Sequence, residues 1–241
     1  MMRMYARHAS AADRGSWSVE RDVRWSEIDQ MRAARERGLH ASLRVAALIE
    51  AYHPVHLQQL LAETWDDVDA GVVFSLELYE GFKHFHALRT YLDAVRYEPA
   101  LTNADIIEMR RAARSDEQGH FDLLERLVEF MLSEHLASYF FRRLSEQTRE
   151  PVLSGLLHLI AADEVRHAQS ASDLIAKRIA ADPRVVRRVL DAATHFRHFG
   201  ERAVGDVPVA LPGDPLAIRT FARRIERLCG VRFVDHLKEA V

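Results

Sequence analysis

A glutamate and a histidine, Glu164 and His167, stand three residues apart in the middle of an apolar segment at residues 157–171. On a helix, residues three positions apart lie on the same face. That face also carries Leu157, Ile160, Ala161, Ala168, Ala171 and Ile175. An ionised carboxylate in an apolar core costs several kcal/mol unless a partner compensates its charge. Because an imidazole lies beside the carboxylate, the pattern predicts a metal ion held by both side chains.

The same Glu-x-x-His spacing occurs twice more, and short motifs of this kind also arise by chance. Glu50 and His53 lie on an apolar helical face, as Glu164 and His167 do. Glu117 and His120 lie in a charged stretch at the start of a predicted helix. His120 is 14 residues from Glu134, about 21 Å along a helix. We therefore expect Glu117 and His120 to lie at the surface or at a helix N-terminus.

The composition indicates an all-α protein with no nucleic-acid or membrane partner. Only 10 Gly and 7 Pro interrupt 241 residues, and the formal net charge is −3. A single cysteine, Cys229, excludes an internal disulfide and favours a reducing cytoplasm. No apolar run reaches the length of a membrane span. Residues 1–16 lack the apolar core of a secretion signal, so we expect a frayed terminus there and a cytoplasmic location.

Hydrophobic periodicity predicts four long helices and several shorter ones. The long helices, named A to D, are expected at residues 41–64, 68–97, 117–148 and 151–181. Shorter helices are expected at residues 17–38, 184–203 and 215–239. Pro151 opens helix D, and the charged segment 104–116 lies in the connection from helix B to helix C. We expect an N-terminal extension in residues 1–40, a metal-binding bundle in residues 41–182 and a helical cap in residues 183–241.

Each long helix carries an acidic residue on its apolar face: Glu50, Glu80 (or Glu77), Glu134 and Glu164. Glu50 and Glu80 are 30 residues apart, and so are Glu134 and Glu164. Because a short turn lies midway in each pair, two antiparallel helices bring each pair to one height. Two such hairpins predict an all-α, ferritin-like four-helix bundle with a long crossover between helices B and C and with accessory helices at both ends. Its core would hold two metal ions.

Helix D resembles the second metal-binding helix of the acyl-carrier-protein desaturase family. The similarity is specific at Ile160–His167, IAADEVRH, and extends weakly over residues 70–195. In helix B, His84 with the apolar residues after it resembles the first His motif of that family. The resemblance implies a ferritin-like di-iron carboxylate protein in which Glu50, Glu134, Glu164, His84 and His167 are iron ligands.

Helix B departs from the family pattern, which places a glutamate three residues before the histidine. That position is Gly81, whereas Glu80 lies four residues before His84 and Glu77 lies seven before it. A π-bulge would let Glu80 and His84 ligate together. Alternatively, Glu77 is the ligand and Glu80 lies behind it. We favour Glu80.

Three further side chains have two interpretations each. His53 is either a third imidazole ligand or a hydrogen-bonded core histidine, and we favour the second. Asp163 either holds a ligand histidine in its tautomer or is a solvated helix acid. Arg166 would pair with Asp163 in the first case.

The resemblance implies an O₂-dependent di-iron oxidoreductase. Carboxylates with one imidazole per metal suit two Fe ions, or one Mn and one Fe. Such an enzyme would use O₂ and an external electron donor to desaturate, hydroxylate or otherwise oxidise an acyl-type, other apolar or small-molecule substrate. The alternatives are a ferroxidase or iron-handling ferritin-like protein, an oxidase resembling the small subunit of ribonucleotide reductase, and a metal-free bundle. We expect a homodimer, with apolar residues of 17–31 in the contact.

Overall fold

The computed structural model describes residues 3–116, 122–207 and 215–239. Their helices are α1 (Met4–Gly15), α2 (Gln30–Ala33), α3 (Arg37–Glu63), α4 (Val68–Ala94), α5 (Asn103–Asp116), α6 (Leu123–Gln147), α7 (Pro151–Ala181), α8 (Val185–Thr194), α9 (Glu201–Val204), α10 (Pro215–Cys229) and α11 (Phe233–Glu239). No strand is present in these ranges.

The four long helices form a bundle of two antiparallel hairpins. Helices α3 and α4 correspond to the predicted helices A and B, and α6 and α7 correspond to C and D. Helix α3 packs along α4, and α6 packs along α7. The hairpins meet where α4 contacts α7 and α3 contacts α6. The crossover between α4 and α6 contains α5, which packs on α3 and α9.

Capping side chains fix where the second helix of each hairpin begins. The side chain of Asp67 accepts hydrogen bonds from the backbone N–H groups of Asp69 and Ala70 at the start of α4. Glu150 caps α7 in the same way, and Pro151 occupies the first turn as predicted. A capped start satisfies N–H groups that have no partner inside the helix. These starts set the height at which the core residues of each hairpin face one another.

The bundle core is built from the apolar faces that the sequence predicted. Fully buried members from the four helices include Leu43, Leu57, Leu88, Tyr91, Leu127, Met131, Leu157 and Ile160. None of the described helices is both long enough and apolar enough to cross a membrane.

The expectation of a frayed N-terminus is wrong, because residues 4–15 form α1. This helix packs on α4 and α7. The backbone N–H of Tyr5 donates to Oδ1 of Asp69 at 2.9 Å. The hydroxyl of Ser170 lies 2.9 Å from Nδ1 of His8. These tertiary contacts supply stability that a short segment rich in Arg and Ala lacks on its own.

The predicted helix at residues 17–38 is also wrong. The segment contains a 3₁₀ turn at Trp25–Glu27 and the short α2. Trp17 and Val23 are buried in the core of the same chain. Because these side chains are covered within one chain, they do not support the homodimer contact that the sequence suggested.

Two predicted C-terminal helices are each divided. The expected helix at residues 184–203 ends at Thr194, and α9 begins only at Glu201. The expected helix at residues 215–239 is interrupted at Gly230, whose φ of 70° is the left-handed conformation that commonly terminates a helix. Helices α8 and α10 pack on α6 and α7.

We expect Leu157→Ala to lower the free energy of unfolding by about 2–5 kcal/mol, because the Leu157 side chain is fully buried between the bundle helices. Val165 lies on the same helix and is 53% exposed, so Val165→Ala is a matched control with an effect of about 0.5 kcal/mol or less. Urea unfolding of both variants measures this difference. Equal effects would contradict the assignment of the α7 core face.

Candidate metal centre

Acidic and imidazole side chains from all four bundle helices converge inside the core in two groups. Within each group, every residue offers a donor atom that lies within 4.8 Å of the others. The first group consists of Glu77, Glu134, Glu164 and His167. The second group consists of Glu50, His84 and Glu164. Every member is buried, with at most 4% of its surface exposed. Glu164 belongs to both groups and therefore lies between two candidate ion positions.

The donor atoms face a shared space, and several of them have no hydrogen-bond partner, although Nδ1 of His167 lies 2.9 Å from Oε2 of Glu164. Nδ1 of His84 lies 2.9 Å from Oε1 of Glu164 and 3.6 Å from Oε2 of Glu50. None of these three atoms makes a hydrogen bond to the described residues, and neither does Oε1 of Glu77 or Oε1 of Glu134. Buried polar atoms almost always have a hydrogen-bond partner. Five such atoms around one space fit a metal-binding site, where cations take the place of hydrogen-bond donors.

A carboxylate from the opposite hairpin holds the far nitrogen of each imidazole. Nε2 of His84, on α4, lies 3.0 Å from Oδ2 of Asp163 on α7. Nε2 of His167, on α7, lies 2.7 Å from Oε2 of Glu80 on α4. Such a carboxylate fixes the orientation of the ring and the tautomer in which the other nitrogen can bind a metal. We call Glu80 and Asp163 the outer carboxylates, and Glu50, Glu77, Glu134 and Glu164 the inner carboxylates.

Lys and Arg side chains compensate the outer carboxylates, whereas the inner carboxylates have only imidazoles beside them. Nζ of Lys83 lies 2.9 Å from Asp163. The Arg166 guanidinium lies 2.6 Å from Asp163 and 2.7 Å from Glu80. The indole N–H of Trp17 also donates to Asp163 at 2.8 Å. Among the described residues, no Lys or Arg forms an ion pair with an inner carboxylate. Four inner carboxylates match the charge of two divalent cations.

Without metal ions, protons neutralise part of this negative charge. Burial and the neighbouring Glu164 carboxylate raise the pKa of Glu50 to about 7. Burial raises the pKa of Glu77 to about 8. Burial and the charge of Glu77 raise the pKa of Glu134 well above its usual value. Burial acts in the same direction at Glu164, but a hydrogen bond from Glu134 and the two imidazoles outweigh it and lower the pKa of Glu164.

Helix α4 contributes Glu77 to the inner carboxylates, and Glu80 lies outside them. The π-bulge that would bring Glu80 inward is absent, because α4 is α-helical from Val68 to Ala94. The structure therefore has the alternative arrangement, with Glu77 facing the ion positions and Glu80 holding His167. The preference for Glu80 in the sequence analysis is not what the structure shows.

A comparison of the two hairpins could have found this arrangement from the sequence. Glu80, Gly81 and His84 have the same order and spacing as Asp163, Glu164 and His167. Aligned at the histidines, Glu80 is the counterpart of the outer carboxylate Asp163, and Gly81 is the counterpart of Glu164.

The structure gives the remaining predicted residues clear positions. His53 is 1% exposed and lies beside the inner carboxylates, and burial lowers its pKa to about 3, so its ring is neutral. Neither ring nitrogen of His53 makes a hydrogen bond to the described residues, contrary to the favoured expectation. Glu117 and His120 lie outside the residues that the structure describes.

A cavity of about 100 Å³ reaches this centre from one side. Its inner wall includes Glu77, Glu80 and His167, and its other walls include Val73 of α4 and Ala12 of α1. Helix α1, which the sequence did not predict, therefore covers the approach to the first group. The space is large enough for a small molecule.

The fold and the donor set define a class of protein, a ferritin-like helical bundle with a candidate dimetal site in its core. A solved structure, the R2-like ligand-binding oxidase from Sulfolobus acidocaldarius, aligns with the chain at a TM-score of 0.63 and 16% identity. The alignment covers 96% of this chain and 93% of that chain. At this identity the likeness shows the fold, and it confirms the predicted ferritin-like bundle.

The chain is also similar to DesA2 of Mycobacterium tuberculosis, a protein named as an acyl-carrier-protein desaturase. The two are 33% identical over 95 residues, which are 39% of this chain and 34% of DesA2. DesA2 from a second strain gives the same values. The match spans about a third of the length of these relatives, and no protein-family model matches the chain. The resemblance to desaturases that the sequence indicated is confirmed over this region.

The different positions of Glu77 and Glu80 predict different effects of their removal. Glu77→Ala removes a donor of the first group, so we expect it to abolish binding of one of two ions. Glu80→Ala removes only the carboxylate behind His167, so both ions should remain, with an affinity about 10–100-fold weaker. Elemental analysis and titration with Fe²⁺ without O₂ test this. Loss of an ion in Glu80→Ala with full binding in Glu77→Ala would reverse the assignment.

The raised pKa values of Glu50 and Glu77 predict that metal binding releases protons. Below a pH of about 7 for Glu50 and about 8 for Glu77, the carboxyl group must lose a proton before it binds an ion. The affinity for metal ions should therefore rise with pH. The ion-free protein should lose stability as the pH rises from about 4.5 to about 8. Over this range the unfolded chain has already released, near the usual pKa of 4.5, protons that the folded chain still retains.

Calorimetric titration in buffers of different ionisation enthalpy measures the released protons, and thermal unfolding measures the stability. The Glu77→Ala variant is the control and should show a smaller pH dependence of affinity. A metal affinity that is constant from pH 6 to pH 9, roughly the interval that brackets both pKa values, would contradict the prediction.

Proposed function

We propose that the protein is an O₂-dependent dimetal oxidoreductase. The observation that carries this proposal is the charge arrangement in the core. Among the described residues, the four buried inner carboxylates form no ion pair with Lys or Arg and have only imidazoles beside them, whereas the two outer carboxylates are compensated by Lys83 and Arg166. The ferritin-like fold and the partial similarity to a desaturase support the same class.

The two groups of donors assign a ligand set to each ion. Glu50 and His84 would hold one ion, and Glu77, Glu134 and His167 would hold the other. Glu164 would bridge them. Carboxylate oxygens with one imidazole for each ion favour two Fe ions, or one Mn and one Fe, over zinc or copper.

When bound, these ions supply the redox chemistry that reduces O₂ and oxidises a substrate. The described residues would hold the ions and orient the imidazoles through Glu80 and Asp163, in a site where every ligand is buried. The cavity beside Glu77 and His167 is the route that we propose for O₂. An external electron donor would supply the electrons that the substrate does not provide.

For the substrate, we propose an acyl-type or other apolar molecule that is desaturated, hydroxylated or similarly oxidised. The support is the similarity to a protein named as an acyl-carrier-protein desaturase. A cytoplasmic location and a homodimer remain predictions from the sequence.

Removal of the shared carboxylate is the most direct test of the metal centre. Purified wild-type protein should contain about two ions per chain, and Glu164→Ala should lose both, because Glu164 belongs to both donor groups. Glu146→Ala is the control, since Glu146 is an exposed carboxylate on the bundle helix α6. Elemental analysis of the three proteins gives the answer. No bound transition metal in the wild type would overturn the proposal.

Oxygen uptake then separates the oxidoreductase from an iron-handling protein. The iron-loaded protein with an electron donor and a panel of acyl compounds should consume O₂ in proportion to product. Oxidation of many Fe²⁺ ions per chain, with no organic product and no dependence on an electron donor, would favour a ferroxidase.

A further inference from the structure

Gly81 lies where the structure has no room for a side chain. A Cβ atom at this position would lie 2.1 Å from Nδ1 of His53 and within 3.0 Å of two further atoms of the imidazole. Such distances are far shorter than a carbon atom tolerates, and the buried ring cannot move away into solvent. The position of His53 on α3 therefore requires a glycine at position 81 on α4.

Gly81 has a counterpart in the second hairpin of the bundle, and that counterpart is a candidate ligand. Gly81 is the counterpart of Glu164 when the two hairpins are aligned at His84 and His167. Glu164 supplies the carboxylate that both donor groups share. In the first hairpin, the corresponding carboxylate is absent, and the His53 imidazole fills the space beside the glycine.

His53 lies among the inner carboxylates. Its Nδ1 lies 3.3 Å from Oε2 of Glu50. Its Nε2 lies 3.7 Å from Oε1 of Glu77 and 3.8 Å from Oε1 of Glu134. The side chain is buried, and neither nitrogen makes a hydrogen bond to the described residues. A buried imidazole with two unbonded nitrogens is costly unless another group binds it.

We propose that His53 is a third imidazole ligand of the dimetal centre and that Gly81 is the residue that admits it. Its Nε2 faces Glu77 and Glu134, so the ion that it joins is that of the first donor group. This inference rests on the proposed function, because it requires the metal centre to exist. The centre then has four carboxylate and three imidazole ligands. Position 81 has no carboxylate, and Glu77, one helical turn earlier on α4, supplies one instead.

A pair of glycine variants on one helix tests the inference. Gly81→Ala places a Cβ against the His53 ring, whereas Gly71→Ala, also on α4, meets no atom within 4 Å. Co²⁺ is the probe, added alone to metal-free protein. We expect Gly81→Ala to weaken binding of one ion about 10–100-fold and Gly71→Ala to bind as the wild type does.

His53→Ala is the second variant, since it removes the ring without crowding the core. X-ray absorption of the cobalt-loaded proteins counts imidazoles directly. The wild type should show about 1.5 imidazoles per ion and His53→Ala about one, as three or two rings shared by two ions require. A residue that only packed against the carboxylates would leave this count unchanged.

The outcomes separate the two proposals. A wild type that binds no Co²⁺ would overturn the metal centre itself. Two bound ions in the wild type, with the same imidazole count and affinity in His53→Ala, would overturn the inference about His53 and leave the proposed function standing. Circular dichroism of the metal-free variants tests whether they are folded. If Gly81→Ala is unfolded, the imidazole count of His53→Ala decides whether His53 is a ligand.

Discussion

Burial of four carboxylates at one height in a bundle core is the constraint on which the rest of the structure depends. Each inner carboxylate would cost several kcal/mol as an unpaired ion. In the absence of metal ions, raised pKa values let protons neutralise Glu50, Glu77 and Glu134. Such a core is stable only in a scaffold that tolerates this cost, and it becomes favourable when cations bind. The arrangement therefore links the stability of the fold to occupation of the site.

The long helices make the convergence possible, and the smaller elements isolate it from water. The capping residues Asp67 and Glu150 fix where the second helix of each hairpin begins, and so which core residues of the two helices face each other. Trp17 anchors the N-terminal segment on Asp163, which is itself bonded to His84. Helix α1 covers the side from which the cavity approaches. Segments outside the four-helix bundle thus cover the approach to the centre, while the bundle helices carry its donor atoms.

Much of this could be predicted from the sequence, because strong amphipathic periodicity and the repeated acidic residues specify a bundle. The extent of α7 and the convergence of Glu50, Glu134 and Glu164 follow from these patterns. Periodicity alone does not decide between Glu77 and Glu80, because both lie close to the buried face of α4 and are separated by less than one helical turn. The alignment of the two hairpins at His84 and His167 is needed for that choice. Helix α1 was missed since tertiary contacts stabilise it, and periodicity does not report such contacts.

The two halves of the centre are not equivalent, and the difference begins at Gly81. The second hairpin has an outer carboxylate followed directly by a shared inner one, Asp163 and Glu164. The first has Glu80 followed by a glycine, so its inner carboxylate comes from Glu77. Glu77 lies on the cavity wall with His167, whereas Glu50 and His84 do not line the cavity. A small molecule entering beneath α1 would therefore meet the first donor group. The asymmetry places part of that group on the cavity wall and leaves Glu50 and His84 enclosed in protein.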